Sequence, residues 1–189
     1  MNSMILAPMP TASTSQLVRS AEAFEAHQTL IYSRKLVHGN ITVFSEPFVD
    51  DMKRLGLWTK EMIEFINMEN GSIRHIDHFV KDNLQYFKDI SYEDIKDEIS
   101  EMKNIHRGMY EISQKDVMQM ARQRGIYVDQ SQSLNIYIAD PTIEKMMGVH
   151  MYGSALRLKT GMYYLRQNPA SQTDRFTVDI AIKEYHENL

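Results

Sequence analysis

The chain has 189 residues, 43% of them hydrophobic and 24% charged, with 21 basic against 25 acidic side chains and a formal charge of −4. This is the composition of a soluble globular protein rather than a disordered segment, and its acidic balance gives no general attraction to nucleic acid or to an anionic membrane. No apolar run approaches the roughly 18–20 residues that span a bilayer, and Met1-Asn2-Ser3-Met4 has neither the basic region nor the apolar core of a secretory signal, so a cytoplasmic location is expected. Cysteine is absent, which excludes disulfides, thiolate metal sites and cysteine nucleophiles within these residues. Thiol chemistry at any site here has to come from another polypeptide. The 14 methionines read as adaptable core packing.

Met4 to Met9 is a short apolar run suited to a buried strand, closed by Pro8 and Pro10. The hydroxyl-rich stretch Thr11 to Gln16 leads into a helix, with Ser13 and Gln16 at capping-box spacing. Ile31 to Val37 and Ile41 to Phe44 are short strands around a His38-Gly39-Asn40 turn. One helix follows from about Phe48 to Leu55 and stops at Gly56. A second runs from an N-cap at Thr59 to about Met68, buries Met62, Ile63, Phe65 and Ile66 around Trp58, and ends at Asn70-Gly71. Arg74 to Lys96 is polar and poorly periodic, and a helix covers about Tyr92 to Ile105. Ser113 caps another helix, whose last turn carries Arg122 and Arg124 before Gly125. Leu134 to Ile138 reads as a strand. Asp140-Pro141 opens a helix that runs to about Lys159 and ends at Gly161, and a weak strand falls at Phe176 to Ile180. There is no repeat, low-complexity tract or dividing linker, and strands separated by helices make the chain α/β.

Three segments carry chemistry. In Pro8 to Gln16, hydroxyls and free backbone N–H groups at the start of a helix form a natural cradle for phosphate; an ordinary serine- or threonine-capped helix would look the same. In Lys159 to Arg166, Tyr163 and Tyr164 are neighbours, which on a regular strand point to opposite faces and act together only if the backbone bends. Gly161 allows such a bend; without it, one tyrosine is buried and one exposed. The amides and hydroxyls of Asp129 to Asn135 suit a structural role at a strand entrance. His75 and His78 are three apart in a polar stretch with no obvious third ligand, so no metal site is expected. No glycine-rich dinucleotide loop, Walker sequence or serine elbow occurs.

Four stretches taken in order, Ala7 to Gln16 (APMPTASTSQ), Tyr110 to Lys115 (YEISQK), Gly125 to Ala139 (GIYVDQSQSLNIYIA) and Leu158 to Arg166 (LKTGMYYLR), resemble the large subunit of class I ribonucleotide reductases of the eukaryotic and viral type. The resemblance covers nearly the whole of 1–189 and weakens at about 77–95, where the chain carries an insertion. It implies the C-terminal part of a ten-stranded α/β barrel, here an incomplete barrel, and the reduction of ribonucleoside diphosphates to deoxyribonucleotides by radical chemistry. Thr11, Ala12, Ser13, Thr14 and Ser15 match the loop that binds the substrate diphosphate. Tyr163 and Tyr164 match the stacked pair that relays an electron and a proton between the small, radical-generating subunit and the active-site cysteine.

The departures carry equal weight. The family's radical cysteine, its redox cysteine pair and the pair on its mobile tail have no counterparts in a chain without cysteine. The family's nucleotide effectors bind elsewhere, its radical cofactor belongs to the metal-containing small subunit, and no cofactor is expected on this chain. The partners implied are a large-subunit polypeptide carrying the cysteines, the small subunit and a ribonucleoside diphosphate. After the loop, Arg19-Ser20-Ala21 and Ala26-His27-Gln28 replace a pattern rich in asparagine, glycine or proline. Three readings stay open: a split or C-terminal component of the reductase completed in trans, an inactive truncated relic, and a non-catalytic binding module.

Overall fold

The computed structural model describes residues 4–36, 39–87 and 90–167. In chain order its elements are α1 (Ala12–Leu17), β1 (Ile31–Leu36), β2 (Gly39–Phe44), α2 (Glu46–Arg54), α3 (Lys60–Met68), α4 (Ile76–Asp82), α5 (Tyr92–Ile105), α6 (Gln114–Gly125), β3 (Asn135–Tyr137), α7 (Ile143–Ala155) and β4 (Tyr164–Arg166), with one 3-10 turn at Leu84–Tyr86. The expected strand at Phe176 to Ile180 lies outside the described residues, as do Val37 at the end of the expected first strand and His38 of the expected turn. The chain divides into two compact units. Among the described residues, Gln28–Gly108 belongs to one, and 4–27 with 109–167 to the other.

The inserted unit, Gln28–Gly108, opens with an antiparallel hairpin in which Ile31 faces Phe44 and Leu36 faces Gly39. Helix α2 buries Phe48 and Met52 and carries Lys53 and Arg54 in its last turn, where cations suit the helix dipole. Gly56, at φ +70°, turns the chain out of it. The hydroxyl of Thr59 accepts the Met62 N–H at 3.3 Å, the expected N-cap of α3. At the other end of α3, Asn70 and Gly71 take φ of 56° and 79°.

Helix α4 was not legible as an element, yet it places Ile76, Phe79 and Val80 in the core, a spacing of three and four on one helical face. Phe79 stacks on Phe65 with centroids 4.2 Å apart. Trp58 sits edge-on to Phe44 and Phe48. Each large side chain fully buried in this cluster contributes about 1.5–3 kcal/mol.

His106, 9% exposed, closes this core against α2, with its Nε2 2.8 Å from the Asp51 carboxylate. The hydrogen bond to His106, its charge and Arg54 hold the Asp51 carboxyl below its ordinary value against the opposing effect of burial. A depressed carboxyl stabilises the fold above its ordinary titration range, and the contribution is lost as pH falls through the folded value. Asp51→Ala is expected to cost about 1–3 kcal/mol at neutral pH by orphaning the buried imidazole. The deficit should shrink as pH falls through the lowered titration range of Asp51, where wild type loses the same contact; urea unfolding at neutral and at acid pH measures both.

In the second unit, α6 packs Val117, Met118 and Ala121 against Met109, Leu134 and Ile136. Strands β3 and β4 run parallel with α7 as the crossover, and Asn135 pairs with Tyr164, Ile136 with Leu165 and Tyr137 with Arg166. This βαβ step agrees with an α/β class. Among the described residues the strands form two two-stranded sheets. Helix α7 is shorter than expected: Thr142 caps it through the Lys145 N–H at 3.2 Å, so Pro141 precedes the cap, and Arg157 at φ 54° follows its last turn.

The run from Met4 to Met9 is not a buried strand. Met4, Ile5, Leu6 and Met9 are 54–74% exposed, and the segment is held irregularly along the 129–133 loop. Asp129 accepts the Ile5 and Leu6 N–H groups at 2.9 and 3.0 Å. In return Leu6 and Pro8 accept from the Gln130 and Ser133 N–H groups. Pro8 and Pro10 lack the donors that a regular ladder needs.

Candidate functional site

The hydroxyl-rich segment forms the short helix α1, but its cap differs from the capping box at Ser13. Thr11 is the N-cap, in the left-handed conformation at φ 55°, and no side chain caps the helix. Its hydroxyl is engaged elsewhere, accepting the Ala23 N–H at 2.8 Å. The first helical bond runs from the Ser15 N–H to the Thr11 carbonyl at 2.8 Å, so the N–H groups before Ser15 stand outside the helical ladder. Ala12, Ser13 and Thr14 are exposed, whereas Ser15 is buried and donates back to the Ala12 carbonyl at 3.3 Å. Ala12 to Thr14 therefore present an exposed rim of N–H and hydroxyl donors, the chemistry that accepts an anion, while Thr11 and Ser15 hold that rim in place.

The segment following α1 carries strain. Arg19 and Ala23 both have positive φ, 53° and 46°, in the region that glycine and asparagine occupy without penalty. Ala23→Gly is expected to stabilise the second unit by up to about 1 kcal/mol, the cost of the left-handed conformation less glycine's added freedom when unfolded. A urea midpoint that moves down would contradict this.

The rings of Tyr163 and Tyr164 are in contact. Their ring centroids are 4.3 Å apart at an interplanar angle of 60°, a distance at which aromatic rings are in direct contact. The bend that brings them together falls at Tyr163 itself, just before β4, and is pinned by the Tyr163 N–H donating to the Leu134 carbonyl at 2.6 Å. Gly161, the expected source of the bend, is not in a left-handed conformation and faces open space. Tyr163 is 55% and Tyr164 50% exposed. The hydrogen bond to Tyr164, followed by repulsion between the two phenolates and desolvation, raises the Tyr163 phenol above its ordinary value. The guanidinium of Arg166 lies 5.2 Å from the centre of the Tyr164 ring.

The expected structural role of Asp129 to Asn135 holds for most of that loop. Gln132 donates to the Ala121 carbonyl at 2.7 Å and accepts from Arg124 at 3.1 Å, and Arg124 lies over the Phe24 ring at 4.0 Å. One cluster was not foreseen. The Glu25 carboxylate accepts from the Asn135 amide at 2.6 Å and from the Tyr137 hydroxyl. Asn135 and Tyr137 are 2% and 3% exposed, and Tyr110 meets Tyr137 edge-on with centroids 5.4 Å apart. The polar residue types of β3 signalled burial of polar groups, but nothing local linked them to Glu25.

A cleft of about 100 Å³, lined in part by Arg122, Gln132, Arg157 and Lys159, includes neither the hydroxyl loop nor the tyrosines. His75 Nδ1 lies 2.8 Å from Glu69, and His78 Nε2 3.9 Å from Asp77. Among the described residues, no helix is long and apolar enough to cross a membrane.

Comparison with known proteins places these segments. Residues 1–164 match the family model of the ribonucleotide reductase barrel domain. The chain is 41% identical over 178 residues to the ribonucleoside-diphosphate reductase large subunit of Caenorhabditis elegans, covering 94% of this chain and 20% of that protein. It is 38% identical over 183 residues to the large subunit of Dictyostelium discoideum, covering 97% and 19%. A solved class Id ribonucleotide reductase alpha subunit from Actinobacillus ureae is similar in fold, with a TM-score of 0.60, 23% identity and coverage of 85% of this chain and 25% of that one. The chain thus spans about a fifth of the length of the curated relatives it matches. On this evidence the chain belongs to the ribonucleotide reductase barrel-domain family.

Proposed function

We propose that these residues supply the diphosphate cradle and the tyrosine relay of a ribonucleoside-diphosphate reductase large subunit, as the C-terminal part of its incomplete α/β barrel. Thr11 to Ser15 bind the substrate diphosphate through backbone N–H groups and hydroxyls. Tyr163 and Tyr164 pass an electron and a proton between a metal-containing, radical-generating small subunit and a cysteine on polypeptide outside these residues. The observation that carries this reading is the tyrosine contact at 4.3 Å. Two adjacent residues rarely bring their rings together on a strand, and a pair so held is suited to exchanging an electron and a phenolic proton.

The chemistry divides cleanly. The absent cysteines supply hydrogen abstraction and reducing equivalents; this chain binds, orients and conducts. A diphosphate on the α1 rim would be held by donors fixed in the backbone, which cost little reorganisation on binding. The test is reduction of a ribonucleoside diphosphate by the chain assembled with a cysteine-bearing large-subunit polypeptide and a small subunit. Turnover that requires this chain supports the reading, and turnover that is indifferent to Tyr163 and Tyr164 removes it. A second reading, an inactive relic, draws its support from Arg19 and Ala23, two non-glycine residues in left-handed positions directly after the cradle.

A further inference from the structure

We propose that Tyr137, with Glu25 as its proton acceptor, is a third redox-active tyrosine, a side station onto which an electron hole on the Tyr163–Tyr164 pair can move and rest. The inference rests on the relay reading only for the natural source of the hole. The geometry of the station stands independently.

The parallel register sets the distance. Asn135 pairs with Tyr164 and Tyr137 with Arg166. Side chains two apart on a strand share a face, so Asn135, Tyr137, Tyr164 and Arg166 line one side of the two strands. Tyr137 and Tyr164 occupy diagonal positions, roughly 8 Å between Cα atoms from the strand spacing and rise. Two aromatic rings separated by that much backbone fall within reach of a single electron-transfer step.

The direction follows from the proton acceptor. Arg166 lies 5.2 Å from the Tyr164 ring and is also the register partner of Tyr137, so its charge does not separate the two. What sets Tyr137 apart is that its hydroxyl already donates to the Glu25 carboxylate, and that carboxylate is held from the other side by Asn135 at 2.6 Å. A phenol losing an electron becomes a strong acid, so a fixed carboxylate on its O–H bond makes the oxidation easier. Tyr137 is 3% exposed, which shields the resulting radical from solvent reductants. Tyr110, edge-on to Tyr137, completes the aromatic packing around it.

The step balances without a further reagent. An electron passes from the Tyr137 ring to the Tyr164 radical, the Tyr137 O–H bond breaks, and its proton forms an O–H bond on Glu25. The Tyr164 oxygen takes up a proton from water at its half-exposed edge. Tyr137 is oxidised, Tyr164 is reduced, and reversal returns the hole to the pair. The oxidant that first removes an electron from the pair is the radical-generating subunit in the assembled enzyme, or a one-electron photo-oxidant in the test.

The experiment uses the whole chain with 3-aminotyrosine in place of Tyr137, oxidised by flash-generated tris(bipyridyl)ruthenium(III). Electron paramagnetic resonance distinguishes the aminotyrosyl radical from ordinary tyrosyl radicals. The expected result is an aminotyrosyl radical at the buried position. Its yield should fall by about tenfold with Glu25→Gln, the ratio that loss of one charge-assisted hydrogen bond corresponds to. It should fall similarly when Tyr164→Phe removes the donor of the hole. Tyrosyl signal on the pair without any aminotyrosyl signal would overturn the inference, as would an aminotyrosyl yield unchanged in the Tyr163→Phe/Tyr164→Phe double variant. Reductase turnover is not read in this experiment, so its failure leaves the relay reading untouched. The assembled-enzyme assay can likewise fail on its own.

Discussion

Tyr164→Phe is expected to abolish ribonucleoside diphosphate reduction in the assembled enzyme while leaving assembly intact, and Tyr163→Phe to do the same. Phenylalanine keeps the ring and therefore the contact at 4.3 Å, but it removes the O–H bond. An oxidised phenyl ring has no phenolic proton to release, so the hole cannot rest on it at an accessible potential. Both tyrosines are about half-exposed, so the change in stability should stay within about 0.5 kcal/mol. Loss of activity then cannot be assigned to misfolding. Turnover is read as deoxyribonucleotide formed, and assembly by co-purification with the partner polypeptides. Normal turnover in either variant would remove that tyrosine from the relay.

Gly71→Ala is expected to destabilise Gln28–Gly108 by about 3 kcal/mol, combining the left-handed backbone penalty with overpacking. Gly71 holds φ +79°, and a Cβ there would lie 2.7 Å from the Ile31 carbonyl oxygen and 2.8 Å from Thr29 Cβ. The Gly71 carbonyl also accepts the Leu30 N–H at 3.1 Å, so the hairpin cannot draw away without losing that bond. Gly56→Ala is the matched control. It has a similar φ of +70°, but its Cβ would meet only the end of the Ile90 side chain, at 3.0 Å. The control should cost about 1–2 kcal/mol, the backbone term alone. Equal urea midpoints for the two variants would show that contact with the hairpin backbone is not what makes Gly71 necessary.

What the sequence disclosed depended on how local the governing interaction was. Helix α5 runs from Tyr92 to Ile105 as expected, because a long element advertises itself through its period. The Thr59 cap and the Asn70-Gly71 stop were legible for the same reason, since their partners lie within a few residues. Helix α4 has only seven residues, and its three buried positions are interleaved with Asp77, His78, Lys81 and Asp82, too short a run to set a period against a polar background. The capping box expected at Ser13 gives way to an N-cap at Thr11, whose hydroxyl is taken by Ala23, a loop residue with no sequence signal. Met4 to Met9 failed as a buried strand because the donor-matching group is the distant Asp129 carboxylate. At the candidate site, the tyrosine dipeptide and hydroxyl loop were visible as residues. The pairing of the tyrosines depends on a bend pinned by Leu134, and the Glu25–Tyr137 contact joins residues 112 apart.

That long reach has a kinetic consequence. Gln28–Gly108 is a compact unit of its own, and the chain departs and returns at one place, where the Met109 N–H donates to the His27 carbonyl at 3.0 Å. Every contact of the first 27 residues with the tyrosine-bearing strands therefore closes a loop through that unit, and closing a flexible loop of that length is entropically costly. Once the inserted unit has condensed, its two ends need only meet, and most of that loop is already closed. Ordering of the first 27 residues against β3 and the loop before it should therefore be a late event in folding, and the folded insertion acts as its internal clasp.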